Sequence, residues 1–410
     1  MEVARESWDH PLGMMLVKSR SSVSKHGVLI AVAIVFLLSG SEQNNAQVAG
    51  SRQAPANQPQ ASDNAGRALV SLQAEEELRS GTDLTRRGLF REAIPHLLAA
   101  HGLVSNEYAA DFNLSLCYVG TYQFKQAIDL LKRLRSGSHA ADVENLLAQA
   151  YIGGSQPQEA LAAFQRAAAL TPLNEKLYLL VADACAAQRS YTVGLKVVDL
   201  GLHNLPQSPK LHYERGVFLS QVDDLDHAKA DFALASKLAP GSDIGYLAAA
   251  HEALLEGNMA ETVRVSREGV GKSPENQALL TILGEALVRS GASPGQPEFN
   301  EAEAALEKSA VIQPGDASSH LSLGELYLLA GRLEDAIAQL KQAQQIDPRK
   351  PAVYANLAKA YQRRGDVQHA LDALAVLAKL NQAQADRISS APGDRKVSYG
   401  GRVTDDEPPH

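Results

Sequence analysis

This 410-residue sequence contains few cysteines and few aromatic residues, and it has no excess of positive charge. Its two cysteines, Cys117 and Cys185, form no CxxC motif and no Cys/His cluster, so the sequence predicts no zinc, haem or dithiol redox site. Aromatic residues make up 5% of the chain, whereas alanine and leucine dominate its apolar share, which favours helix over sheet. The formal charge of −8 predicts no nucleic-acid partner.

Motifs of metalloprotease and nucleotide-binding sites are also missing. The sequence contains no HExxH motif and no GxxxxGK[ST] motif. The twelve histidines are scattered, and we interpret each as a solvated or groove residue rather than a metal ligand. We therefore predict no catalytic residue, no metal and no cofactor.

The N-terminal region has the pattern of a targeting segment. Gly27–Gly40 is an uncharged apolar run that follows Lys18 and Lys25. A basic stretch and then a short apolar run are typical of a secretory signal peptide, and the run is shorter than the ~20 residues of a spanning helix. We predict a signal peptide or an uncut membrane anchor over 1–41, followed by a flexible linker over 42–66. The protein is then periplasmic or secreted, or membrane-anchored with its repeats outside the cytoplasm.

Internal repetition with a period near 34 residues is the strongest pattern in the chain. One column of mostly alanine consists of Ala93, Ala127, Ala160, Gly194, Ala228, Thr262, Ala302, Ala336 and Ala370. A second column of small residues consists of Gly81, Ser115, Ala148, Ala182, Gly216, Ala250, Gly284, Gly324 and Ala358. A proline column consists of Pro172, Pro206, Pro240, Pro274, Pro314 and Pro348.

Each column has a physical reason in a pair of packed helices. Small residues let two helix axes approach where they cross. A large residue such as Leu97 or Leu340 follows the alanine column by four positions and fills the same helical face, although Ser266 breaks this set. Glycines such as Gly88 and Gly331 separate the two helices at the turn, and the proline ends the second helix.

These columns resemble the tetratricopeptide repeat family over about Glu75 to Gln382. Tyrosines also occupy the family's first-helix position, at Tyr118, Tyr151, Tyr327 and Tyr361. The family's leading tryptophan is absent, the fourth and sixth repeats are degenerate at the alanine column, and the seventh holds six extra residues between its helices.

The resemblance implies an all-α fold. It predicts a right-handed superhelical solenoid of about nine helix pairs over 67–384, with a concave face lined by first helices, and a disordered tail over 385–410. No full capping helix is apparent after Leu380. The expected repeats lie near 74–107, 108–140, 141–174, 175–208, 209–242, 243–276, 277–316, 317–350 and 351–384.

The register of the resemblance also implies which first-helix residues face inward. The candidate peptide-binding groove consists of Phe112, Asn145, Gln149, Lys176, Leu179, Asp183, Lys210, Tyr213, Leu247 and His251. Apolar and aromatic residues flanked by lysines suit an extended or helical peptide segment. Asn145 and Lys176 match two positions of the family's carboxylate clamp, but the remaining positions do not complete it. The alternative is that several of these side chains pack between adjacent first helices.

The sequence therefore favours a binding function over catalysis. We predict a non-catalytic interaction scaffold or adaptor of the cell envelope that holds a protein segment in its groove. The alternative is an assembly or secretion factor attached to a membrane through the N-terminal apolar segment. An enzyme is the least favoured interpretation.

Overall fold

The structure is a computed structural model that describes the backbone of residues 58–135 and 139–390 and the side chains of 69–135 and 139–383. The predicted signal peptide or anchor over 1–41 lies outside the described residues, and so does the C-terminal segment after Ser390.

Helices account for all the regular structure in the described residues. The first helices of the nine repeats are α1 (Gln58–Arg86), α3 (Glu107–Gly120), α5 (Ala140–Gly153), α7 (Glu175–Ala187), α9 (Pro209–Gln221), α11 (Asp243–Leu255), α13 (Gln277–Arg289), α15 (Ala317–Leu329) and α17 (Pro351–Arg364). The second helices are α2 (Phe90–Ala100), α4 (Phe124–Arg133), α6 (Pro157–Leu170), α8 (Tyr191–Asn204), α10 (Leu225–Leu238), α12 (Met259–Lys272), α14 (Pro297–Ile312), α16 (Leu333–Ile346) and α18 (Val367–Ser390). The predicted all-α class with nine helix pairs is confirmed.

The helices belong to two compact bodies. Helices α1–α10, up to Pro240, form the N-terminal body, and α11–α18, from Gly241, form the C-terminal body. Within each body every helix packs on the helix that precedes it and on the helix that follows it. Such an arrangement buries the apolar face of each repeat on its neighbours.

The second small-residue column lies where the two helices of one repeat cross. A Cβ atom added at Gly216 would lie 2.7 Å from the ring of Phe232, and one added at Gly324 would lie 2.5 Å from Leu340. Phe232 and Leu340 are the filler residues of their repeats, and both are fully buried. The predicted role of this column is confirmed, because the filler occupies the space that the missing side chain leaves.

The fourth repeat is not degenerate in its packing. A Cβ atom at Gly194 of α8 would lie 2.6 Å from the ring of Phe218, which belongs to α9 of the next repeat and is fully buried. Glycine at this position, where the family motif has alanine, therefore accommodates a large neighbour. Thr262 in the sixth repeat is also fully buried, and its hydroxyl donates to Asn258 O at 2.9 Å.

Every repeat turns between its helices at a residue with positive φ. Glycine occupies this corner in five repeats, at Gly88, Gly257, Gly291, Gly331 and Gly365. The other four corners are Tyr122, Ser155, Arg189 and Asp223, with φ between 54° and 66°. The sequence predicted only the glycine corners, since the other four residue types seldom adopt this conformation.

Helix ends follow the expected chemistry. Each residue of the proline column stands two positions after the last residue of a second helix, as Pro172 does after Leu170. Several first helices begin with a side chain that caps the backbone: Ser208 Oγ accepts from Leu211 N at 3.0 Å, and Asp316 accepts from Ser318 N and Ser319 N.

The terminal helices are longer than predicted. The first helix begins at Gln58, within the range expected to be a linker, and α18 continues to Ser390, past the expected end of the repeats at 384. The outer face of α18 stays open, because Leu371 is 54% exposed and Leu374 is 38% exposed. Their counterparts in the eighth repeat, Ile337 and Leu340, are 4% and 0% exposed.

Candidate protein-binding face

First helices lie side by side in the N-terminal body. Helices α1, α3, α5 and α7 each contact the next first helix, whereas among the second helices described only α6 and α8 touch. The first helices are therefore closer together, and their exposed side is the inner side of the curve. Eight of the ten predicted groove residues belong to this body, and Leu247 and His251 belong to the C-terminal body.

Asn145 and Gln149 on α5 are buried and join neighbouring first helices. Asn145 is 2% exposed, and its Nδ2 donates to Leu177 O of α7 at 2.8 Å. Gln149 is 7% exposed, and its Nε2 donates to Asn145 Oδ1 at 2.9 Å. These two amides hold α5 against α7, as in the alternative that the sequence left open, and little of either is accessible to a partner.

An aromatic row lies at the start of the face. Phe112 is half-buried and stacks on Tyr108 with ring centroids 5.5 Å apart, and Tyr108 stacks on His139 at 4.8 Å. Burial, with a smaller effect from Asp142, raises the pKa of Tyr108 above its ordinary value. This row gives the face a neutral, apolar edge at α3.

Helix α7 presents three candidate residues on successive turns. Lys176 and Asp183 are exposed, and Leu179 between them is partly exposed. Although Asp183 meets solvent, its position within the curve reduces its hydration and raises its pKa to about 6.

Helix α9 presents Lys210 and Tyr213 and, next to them, Glu214. The ring of Tyr213 packs on Phe232 of α10, with centroids 5.6 Å apart, and the side chain stays partly exposed. Burial, and then the charge of Asp183, raises the pKa of Glu214 to about 7. Sequence reasoning missed Glu214, although it stands one position beyond the inward tyrosine.

Leu247 and His251 lie on α11 of the C-terminal body. Leu247 packs against a small core cluster of Ala250, Val265 and Ile282. His251 Nδ1 donates to Leu247 O at 3.0 Å, and burial lowers the pKa of the imidazole. Both residues are partly buried within their own helix packing.

Polar rings near the start of three first helices connect consecutive repeats. Tyr178 and Tyr354 donate to Pro172 O and Pro348 O, each at 2.8 Å. His212 Nε2 lies 3.1 Å from Pro206 O, and its Nδ1 lies 2.8 Å from Asp231 Oδ1. The interpretation of the histidines as solvated or groove residues was wrong for His212, which is 6% exposed.

Other candidate chemistry has structural explanations. Cys117 and Cys185 are free, buried thiols, and burial raises the pKa of both. The segment from Gly291 to Gly295 matches a GxSxG pattern, but it is the loop between α13 and α14, and Ser293 Oγ donates to Gly291 O at 3.1 Å. Within residues 58–135 and 139–390, no group of side chains could hold a metal ion.

Family models agree with the repeat geometry. The model described as "Tetratricopeptide repeat" matches residues 145–209, and the model described as "TPR repeat" matches residues 326–365. The chain therefore contains tetratricopeptide repeats in both of these segments.

Similarities within the tetratricopeptide repeat family are distant. The chain is 21% identical to tetratricopeptide repeat protein 16 of Mus musculus over 67% of its length, and the match spans 39% of the mouse protein. A tetratricopeptide repeat protein from Parabacteroides merdae is 18% identical, with a TM-score of 0.47, and the match covers 62% of this chain and 98% of that one. A thermophilic repeat protein from Thermus thermophilus is 24% identical, with a TM-score of 0.39 and coverage of 44% and 96%. None of these similarities identifies what this chain binds.

Proposed function

We propose that this chain is a non-catalytic scaffold that holds a protein segment on the inner face of α3, α5, α7 and α9. Tetratricopeptide repeats are generally protein–protein interaction modules, and stacked repeats provide extended concave surfaces for partners. The observation that supports this site is the partly exposed pair Leu179 and Tyr213, on neighbouring helices among charged side chains. Aromatic residues in such settings contribute much of the binding free energy at protein interfaces.

The binding face is narrower than the sequence predicted. Asn145 and Gln149 are engaged between helices, so contacts with the partner fall on Phe112, Leu179 and Tyr213 and on the charged residues beside them. A segment that crosses from α3 to α9 spans four first helices of one compact body. An extended or helical segment fits this surface because it runs across the row of helices.

A photo-crosslinking amino acid tests this site. Placed at position 179 in the full chain, in cells that produce the protein naturally, it should form a discrete crosslinked species. The same amino acid at Gln165, exposed on the second helix α6, is the matched control. Equal crosslinking at both positions, or none at position 179, contradicts the proposed face.

We also propose that the scaffold acts outside the cytoplasm, in the cell envelope. The support is the basic stretch with Lys18 and Lys25 before the apolar run Gly27–Gly40. The same run favours the second candidate function, an assembly or secretion factor that stays anchored to the membrane. No helix within the described part of the chain is long and apolar enough to cross a membrane.

Cell fractionation with intact-mass measurement separates these locations. A shortened chain in the periplasm or medium supports export and cleavage, and full-length protein in membranes supports the anchored alternative. Full-length protein in the cytosol contradicts both.

A further inference from the structure

Two carboxylates on the proposed binding face have no partner of their own. Asp183 lies on α7 and Glu214 lies on α9, and these two first helices pack directly on each other. Among the described residues neither carboxylate accepts a hydrogen bond or forms an ion pair. They are close enough for the charge of Asp183 to raise the pKa of Glu214. Two like charges in one concave surface repel each other, and a bound cation would relieve that repulsion.

Each lysine of the face lies near a carboxylate. Lys210 Nζ lies 3.3 Å from Glu175 Oε2. Lys176 lies near Asp142, and its charge favours the ionised form of that carboxyl group. Together with Asp183 and Glu214, four carboxylates accompany these two lysines, so the surface left for a partner is acidic.

The other charged groups of the packed helices are engaged away from this pair. On α5, Glu144 is held by Arg135 at 2.8 Å and by Arg166 at 2.9 Å. On α9, α10 and α8, Arg215 binds Asp231 at 2.6 Å and Asp199 at 3.2 Å, and His212 binds the same Asp231. Lys229 of α10 pairs with Asp226, and Lys196 of α8 is exposed on a second helix.

We propose that the bound segment carries a lysine or arginine whose cation lies between Asp183 and Glu214, with its aliphatic stem on Leu179 and Tyr213. This inference rests on the proposed function of the face and specifies the chemistry of its partner. Charge-assisted hydrogen bonds to carboxylates are stronger than neutral ones. The stems of both cationic side chains pack well on apolar surface, and a tyrosine ring attracts a cation.

With this arrangement, the affinity for a cationic segment should depend on pH in a direction that can be worked out. Burial raises the pKa of Asp183 to about 6, and burial together with the charge of Asp183 raises the pKa of Glu214 to about 7, while lysine and arginine stay charged. As pH falls through this range the carboxylates gain protons, so affinity for a cationic segment should fall. His139 lies near Asp142 at the other end of the face, so it needs its own control.

The test uses two fluorescein-labelled peptides and the full chain. One peptide alternates leucine with lysine, and its twin has glutamate in place of lysine; fluorescence anisotropy gives Kd at about pH 8 and about pH 5.5. We expect the lysine peptide to bind about tenfold more weakly at the lower pH. In the double variant Asp183→Asn/Glu214→Gln it should bind about tenfold more weakly at pH 8 and lose most of its pH dependence.

Matched controls separate this site from general attraction to an acidic protein. Asp129→Asn/Asp226→Asn removes the same charge from second helices, where the two side chains are 58% and 96% exposed, and it should leave Kd within about twofold. His139→Gln should keep the pH dependence. Equal losses in the two double variants, or tighter binding of the glutamate twin, overturn the proposal.

The outcome also separates this inference from the proposed function. Crosslinking at position 179 that persists in Asp183→Asn/Glu214→Gln, together with no measurable binding of the lysine peptide, retains the face and rejects the cationic partner. If no crosslink forms at position 179 in a chain that keeps Asp183 and Glu214, the proposed face itself is rejected.

Discussion

The contact between Gly194 and Phe218 gives a sharp test of the packing between the fourth and fifth repeats. Gly194 lies inside α8, where alanine would be the better helix former by about 1 kcal/mol. Its added Cβ would lie 2.6 Å from the Phe218 ring, closer than carbon atoms pack, and the ring is fully buried with little room to move. Overpacking costs about 1–3 kcal/mol. Since the gain in helix propensity offsets part of this cost, we expect Gly194→Ala to reduce the free energy of unfolding by up to about 2 kcal/mol.

Two further variants isolate the cause of this loss. Gly271→Ala in α12 is the matched control, because a Cβ atom there meets nothing within 4 Å, and the change should be neutral or stabilising. Phe218→Leu should itself destabilise, by about 1–2 kcal/mol, but Gly194→Ala in that background should cost little. Urea denaturation followed by circular dichroism gives the four midpoints of the cycle. Additive losses, or a stabilised Gly194→Ala single variant, refute the argument.

Three other predictions test the columns, the corners and the binding face. Ala336→Leu should overpack a helix crossing and cost about 1–3 kcal/mol in thermal or urea unfolding, whereas Ser293→Leu in the exposed inter-helix loop should cost almost nothing; equal losses contradict the register. Ser155→Gly should stabilise by about 0.5–1 kcal/mol because it removes the strain of φ 57°, and an unchanged midpoint contradicts that strain. Because the folded state raises the pKa of Glu214 from 4.5 to about 7, its ionisation reduces stability progressively as pH rises between these values. Glu214→Gln should therefore raise the unfolding midpoint more at pH 8 than at pH 5, and an equal effect at both pH values contradicts the raised pKa.

The repeat architecture could be predicted from sequence because backbone geometry restricts a few positions to particular residues. Ala336 and Gly324 must be small for the helices to approach, and Pro314 cannot continue a helix, so each leaves a periodic trace. The corner at Arg189 could not be predicted from sequence, because its positive φ is held by the packing of neighbouring residues and not by a preference of arginine for this conformation. The packing of Phe218 against Gly194 could not be predicted either, because the two residues belong to different repeats.

The candidate site was only partly predictable. Periodicity placed Leu179 and Tyr213 correctly on partly exposed turns of first helices. It could not distinguish them from Asn145, which has the same register but reaches α7 and donates to a backbone carbonyl. Glu214 was missed because its importance comes from Asp183 on a neighbouring helix, and a contact of that kind has no signature in a single sequence.

The four corners without glycine occur in consecutive repeats, at Tyr122, Ser155, Arg189 and Asp223. Each holds an ordinary residue in a conformation that costs about 1–2 kcal/mol, so the turns that follow α3, α5, α7 and α9 open locally at a lower free energy than glycine corners do. Amide hydrogens next to these turns should exchange with solvent early. A segment bound across the same first helices would oppose that opening by mass action, so slowed exchange at these corners would report an occupied face even before the partner is identified.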